Sequence, residues 1–343
     1  DIEENMLLQI FCGITKIITY SSIILAIGLF LGLVILKFKV QANYRKRLQS
    51  SKKYAISFLH PYCNSGGGGE KVLWCMIDAI YEQIPADTFE IVVYSGDNVP
   101  AADILKKTKD RFNIDLKQTP RFVLLKKRYL IDPATWPFFT IFGQIYGTIR
   151  LTIEALLSYP PDMLIDSTGL AFSFWITRFL LPSCKIGAYV HYPYVSHEMV
   201  TDIKKKKFNN SARIADSRIL SLAKLIYYKV LIYFYGVMGR RVDFCWANST
   251  WTRDHMAQLW TKWSNNFKIL YPPCQVSTFM KFKTEGREPI ILSFSQFRPE
   301  KDHEKQFRII KKLVEKDPKT DLKLFAVGSC RGPEDDVFLN HLK

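Results

Sequence analysis

HPYCNSGGGGEKVLWC, residues His60 to Cys75, sets four consecutive glycines between two apolar runs of different period. Upstream, Tyr54–Leu59 (YAISFL) reads as a buried strand bounded by turn residues. Downstream, Leu73, Met76, Ile77 and Ile80 recur at helical spacing, with Glu70 in the first turn, where a carboxylate suits the helix dipole. Gly66, Gly67, Gly68 and Gly69 therefore form a tight strand-to-helix turn. Two uses fit such a turn: a plain connection, or a place where backbone N–H groups approach an anionic ligand at a helix N-terminus. It is not a Walker loop, because Lys71 is followed by Val72 and the magnesium-binding hydroxyl is missing.

The same alternation continues outward. Strand candidates are Tyr54–Leu59, Phe89–Tyr94, Met163–Asp166, Lys185–Val190, Val242–Ala247 and Phe267–Leu270, most of them separated by helical stretches. This predicts an α/β fold, a parallel sheet with helices on both faces, whose ligands bind at the carboxyl ends of the strands. DSTG (Asp166–Gly169) and HYPYVS (His191–Ser196) lie at such ends. After YPPC (Tyr271–Cys274) the pattern restarts, with strand Pro289–Phe294, helix His303–Lys316 and strand Leu322–Val327. A second α/β domain begins there, and two βα units fall short of a full one, so the chain is expected to be C-terminally truncated.

Ile17–Leu36 carries no charge and matches a bilayer span of about 20 residues. A secretory signal is the rival, opposed by Asp1, Glu3 and Glu4 before the run and by the lack of a small-residue cleavage site after it. Lys37, Lys39, Arg45, Lys46, Arg47, Lys52 and Lys53 follow the run, whereas only Lys16 precedes it, which predicts a cytosolic body. Seven scattered cysteines without a C-x-x-C pair suit free thiols in a reducing compartment. The expected layout is a lumenal N-terminus at 1–16, a transmembrane helix at 17–36, a basic juxtamembrane segment at 37–53, a first domain at 54–275 and the start of a second at 288–343. Ile219–Met238 is long enough for a second membrane contact dipping into the leaflet, beside the basic run Lys204–Lys207, or for an ordinary buried helix. The net charge of +16 suits phosphate-rich substrates or an anionic membrane, and no RNA or DNA motif accompanies it, so no nucleic-acid partner is expected.

HPYCNSGGGGEKVLWC, YSGD (94–97), PDMLIDSTG (161–169), VHYPYVSHEM (190–199), ANSTWTRDH (247–255), YPPC (271–274) and SFSQFRPEKDH (293–303) occur in that order. Together they resemble the GDP-mannose-dependent alpha-1,2-mannosyltransferases of the dolichol-linked oligosaccharide pathway, over residues 54 to 343. The resemblance implies a GT-B glycosyltransferase with two Rossmann-like domains facing a cleft, the second holding most of the nucleotide sugar. It implies retaining transfer of mannose from GDP-mannose to a trimannosyl, dolichol-diphosphate-linked oligosaccharide, in two successive alpha-1,2 additions for protein N-glycosylation. The setting is the cytosolic face of the endoplasmic reticulum membrane, with other mannosyltransferases of the pathway as candidate partners. No metal is expected: Glu334, Asp335 and Asp336 are out of context for a metal motif and read as a solvated helix start.

The resemblance places Gly66–Gly69 and Glu70 at the cleft, facing the donor or acceptor diphosphate. His191 is a strand-end residue that either contacts the transferred sugar or acceptor, or is structural. Asp166 either orients the acceptor or caps the next helix. Arg298 and Lys301 suit a diphosphate leaving group, against the alternative of a solvated basic loop; Gln296 stands where many GT-B enzymes carry an arginine. The pair of glutamates seven residues apart that such enzymes carry late in the second domain has no counterpart before Lys343. Catalysis by residues 1–343 alone is therefore not expected. The alternatives are a non-catalytic membrane-bound subunit for lipid or sugar phosphates, and another mannosyltransferase of the pathway with a shorter glycine loop.

Overall fold

The computed structural model describes residues 2–343 apart from 205–217, 264, 275, 277, 278, 284, 331 and 332. Lys205–Lys207 of the basic run lie outside the described residues. The chain divides into two units, Asp1–Pro273 and Cys274–Lys343.

The first unit is a seven-stranded parallel sheet in the order β3-β2-β1-β4-β5-β6-β7. The strands are β1 (Tyr54–Leu59), β2 (Phe89–Ser95), β3 (Arg121–Leu124), β4 (Met163–Asp166), β5 (Lys185–Val190), β6 (Phe244–Ala247) and β7 (Lys268–Ile269). The chain winds outward from β1 to β3, then returns to build β4 to β7 on the other side. The order therefore reverses between β1 and β4, where the carboxyl ends of a doubly wound sheet open a crevice.

Helices cover both faces. Helix α2 (Gly68–Gln83) buries Leu73, Trp74, Ile77 and Tyr81 against β1 and β2, together with Ile104 of α3 (Ala101–Phe112). Each such side chain contributes roughly 1.5–3 kcal/mol by leaving water. On the opposite face, α4 (Thr140–Ser158) and α5 (Phe172–Leu180) pack over β1, β2 and β4. A third cluster surrounds β5 and β6, with Tyr235 and Met238 of α7 (Arg218–Gly239), and Met256 of α8 (Thr250–Leu259). Between β5 and α7 lies α6 (His197–Lys204).

Helix α1 runs from Ile2 to Ser50 without a break, so the expected basic segment at 37–53 is mostly a continuation of the apolar helix. Among the described residues it is the one helix long and apolar enough to cross a membrane. The change of environment is abrupt. Ile17 to Ile35 are largely exposed, whereas Val40 is fully buried in the core with Leu59, Leu151 and Leu156. Arg47 is also buried, its Nη2 at 2.6 Å from Asp162 Oδ2. Asp162 further accepts from Tyr44 Oη at 2.6 Å and from the Ala55 N–H at 2.7 Å. Arg47, expected in the basic juxtamembrane segment, is part of the dock between α1 and the sheet.

Residues 219–238 belong to α7. Leu231, Tyr235 and Met238 are buried, while Leu222, Ile226, Val230, Tyr233 and Phe234 are exposed.

The second unit, taken by itself, holds a parallel pair, β8 (Ile290–Phe294) and β9 (Lys323–Val327), with α9 (His303–Lys316) and α10 (Pro333–Leu342). Leu292, Phe294, Phe325 and Val337 are exposed.

Candidate functional site

At the crevice, Leu59 of β1 pairs with Asp166 of β4, so the residues that follow them, His60 and Ser167, are neighbours across the reversal point. His60 Nδ1 lies 2.8 Å from Ser167 Oγ, and His60 Nε2 lies 3.3 Å from Glu70 Oε1. The other Glu70 oxygen accepts the Gly67 N–H, so the carboxylate reaches back to the N-cap of its own helix. Burial pushes the Glu70 carboxyl up. The hydrogen bond and charge of His60, with the Gly67 N–H, outweigh that, and the group stays below its ordinary value.

His191 follows β5 and packs edge-on against Tyr189 at 4.9 Å between ring centroids. Burial holds its pKa below the usual imidazole value and the charge of His60 adds to this, opposed by a hydrogen bond with the Ser167 backbone. His191 Nε2 is buried and has no hydrogen-bond partner among the described residues, so the Ser167 bond belongs to Nδ1. The ring is thus neutral with Nε2 as a lone-pair acceptor. A Cβ placed on Gly69 would stand 3.6 Å from that nitrogen.

The glycines differ in their reasons. Gly66 has φ +80, and a Cβ there would strike the Arg111 side chain at 2.9 Å. Gly67 is the N-cap, while Gly68 and Gly69 form the first residues of α2 rather than the turn itself. A Cβ on Gly68 would meet open space within 4 Å. Close packing within the chain therefore does not exclude a side chain at Gly68.

Neighbouring loops brace the cluster. Asp166 Oδ1 accepts from the Thr168 N–H and Thr168 Oγ1 at 3.0 Å and from the Gly169 N–H at 3.2 Å. It closes the DSTG turn, five residues before the N-cap Ala171 of α5, and burial raises its pKa to about 6. Ser249 caps α8 by accepting the Thr252 N–H, and Thr252 Oγ1 donates to the His191 carbonyl at 3.3 Å. Tyr194 Oη donates to Gln144 Oε1 of α4 at 2.9 Å, which anchors the HYPY loop.

The structure thus brings Gly69 beside His191 and Gly67 beside Glu70, leaves Gly66 against Arg111 and Gly68 clear of protein atoms, and adds His60 and Ser167, which sequence reasoning did not select. A signal was present: a histidine directly follows each of the buried strands β1 and β5. Arg298 and Lys301 belong to the other unit. Arg298 Nε lies 3.1 Å from Glu300 Oε1 and 3.9 Å from Asp335 Oδ1. Asp335, expected at a solvated helix start, is half-buried and faces that guanidinium. Lys301 ends a short turn at Pro299–Lys301, and Asp302 caps α9 by accepting the Lys305 N–H.

A doubly wound parallel sheet with a glycine-opened helix start, a carboxylate and a neutral imidazole at its reversal point defines a Rossmann-like α/β protein with a ligand crevice. Residues 53–260 match the family model described as ALG11 mannosyltransferase N-terminus. The chain is 38% identical over 351 residues to the GDP-Man:Man(3)GlcNAc(2)-PP-Dol alpha-1,2-mannosyltransferase of Xenopus laevis, covering 97% of this chain and 71% of that protein. It is 42% identical over 318 residues to the Homo sapiens protein of the same name (87% and 63%), and 32% identical over 323 residues to that of Caenorhabditis elegans (90% and 66%). The chain belongs to the ALG11 mannosyltransferase family.

Proposed function

We propose that the protein of which this chain is part transfers mannose from GDP-mannose in alpha-1,2 linkage to a trimannosyl oligosaccharide carried on diphosphodolichol. The observation that carries this is the cluster at the reversal point. His191 Nε2, an unpartnered acceptor, and the Glu70 carboxylate border the space beside Gly69. In that space a sugar hydroxyl donates to His191 Nε2. The Glu70 carboxylate supplies negative charge near a carbon that becomes positive as the leaving group departs. The first N–H groups of α2 suit a phosphate. In the second unit, taken by itself, Lys301, without an ion pair among the described residues, and Arg298, shared with two carboxylates, suit a diphosphate leaving group. No metal is invoked. The relatives' names support the donor, acceptor and linkage.

The same reading places the chain at the endoplasmic reticulum membrane, with α1 crossing it, the body cytosolic, and other mannosyltransferases of the pathway as candidate partners. A second membrane contact is proposed at α7 and the start of α4. Phe138 and Phe139 are 81% and 75% exposed, and an edge-on pair, Phe142 and Tyr227, joins the two helices. The functional test is transfer by the full-length protein in liposomes, offered GDP-mannose or UDP-N-acetylglucosamine with the lipid-linked trimannosyl acceptor. Mannose incorporation from GDP-mannose alone, in up to two additions, is expected. Nucleotide-sugar binding without transfer would make the protein a binding subunit instead.

A further inference from the structure

His60 is 1% exposed and stands at the centre of the cluster, with both ring nitrogens engaged. We propose that His60 is a positioning residue for the transfer reaction: bridging Ser167 at the end of β4 and Glu70 in the first turn of α2, it holds the Glu70 carboxylate in one orientation across the reversal point. This rests on the assignment of Glu70 and His191 to the reaction space.

Geometry carries the inference. One Glu70 oxygen is held by the cap of its own helix and the other by His60, so the carboxylate has no freedom to rotate while both contacts last. Without His60, only the Gly67 N–H remains, and a half-held carboxylate at a helix N-terminus can turn toward the N–H groups that a phosphate would use. The contact with Ser167 has a second effect. The backbone of Ser167 bonds His191, so the serine held by one imidazole orients the other. His60 therefore couples the ends of β1 and β4, the start of α2 and, through Ser167, the end of β5, the strand on the other side of β4. Glu70 faces His60 from the β1 loop, His191 from the end of β5 and the buried Cys63 thiol. Among these, His60 gives the hydrogen bond that favours the ionised carboxylate.

The test uses the full-length protein with His60→Ala and His60→Gln, glutamine being able to place an amide N–H near the position of Nε2. For His60→Ala, kcat should fall about 100-fold with KM for GDP-mannose changed less than about threefold, as expected for a misplaced reacting group. The acid limb of kcat/KM should move to higher pH, since Glu70 loses the bond that keeps it ionised. His60→Gln should return the limb toward its wild-type position and recover part of kcat. Ser167→Ala should lower kcat without moving the limb. A purely structural role would lower the Tm and the active fraction, leaving KM and the limb where they were, and that result overturns the proposal. Should His60→Ala not fold, His60→Leu, which fills the buried site but donates no hydrogen bond to Glu70, carries the same comparison. A turnover-independent reading comes from 13C NMR titration of labelled glutamate, with Glu70→Gln for assignment. A wild-type protein without transfer overturns the proposed function, while the titration still reports the His60–Glu70 coupling. Normal transfer with an unmoved limb and an unmoved Glu70 titration in the His60 variants overturns the positioning role alone.

Discussion

Gly68 and Gly69 are adjacent and chemically identical, yet the space around them predicts different outcomes. A valine at Gly68 points into space empty of protein atoms, whereas one at Gly69 reaches His191. Gly68→Val should leave the Tm nearly unchanged and lower transfer by about 100-fold or more if substrate occupies that space. Near-normal turnover in the folded variant would make the first turn of α2 a plain connection. Asp166 gives a pH prediction. Burial is the main cause of its raised pKa, about 6 against 3.8, outweighing the Thr168 and Gly169 hydrogen bonds. The folded protein holds that proton more tightly than the unfolded chain does. The contribution is therefore fully present below pH 3.8 and lost as pH rises through about 6, a change on the order of 3 kcal/mol. Asp166→Asn keeps the acceptor oxygen and removes the titration. Its Tm relative to wild type should rise between pH 4 and pH 7, and parallel Tm curves would show that the buried carboxyl does not titrate there.

Among the elements, the dock of α1 is the most testable. Arg47→Ala leaves Asp162 buried with its guanidinium partner gone, and should cost about 3–5 kcal/mol, read as a Tm loss in the detergent-solubilised full-length protein. A surface-like loss below about 1 kcal/mol would mean that the ion pair is solvated. This dock was not legible in the sequence, because a basic residue following a membrane-length run reads as a juxtamembrane charge. Its acidic partner lies 115 residues away. Strand prediction shows the same division. The apolar runs at β1, β4 and β5 were bounded correctly, since each has residues buried on both sides of the sheet. β3 was missed: it is four residues long, half-exposed and at the sheet edge, so its pattern lacks the continuous burial that marks a central strand. In the site, Gly66–Gly69, Glu70 and His191 could be chosen because each sits at a strand end or helix start. His60 could not be matched to Ser167, because β1 and β4 are adjacent only through a crossover that no local pattern encodes.

At the scale of the molecule, two properties can be tested apart, its contact with a membrane and its chemistry. For the first, a variant lacking residues 1–35 keeps the buried Val40 and tests α7 alone. It should float with anionic liposomes, and changing the exposed Leu222, Ile226 and Phe234 to Ser should abolish flotation. Leu231 is unsuitable for that test, since it is fully buried and its loss would damage the core. A variant lacking 1–35 that remains soluble would leave α1 as the sole membrane contact. For the chemical side, the central claim is that mannosyl transfer takes place where His191 and Glu70 meet. It is tested most directly by single-turnover transfer from GDP-mannose to the lipid-linked acceptor, comparing full-length wild type with folded His191→Ala. The wild type should give product sensitive to an alpha-1,2-mannosidase, and the variant a rate lowered about 100-fold or more while GDP-mannose still binds. Equal single-turnover rates in the two proteins would contradict it.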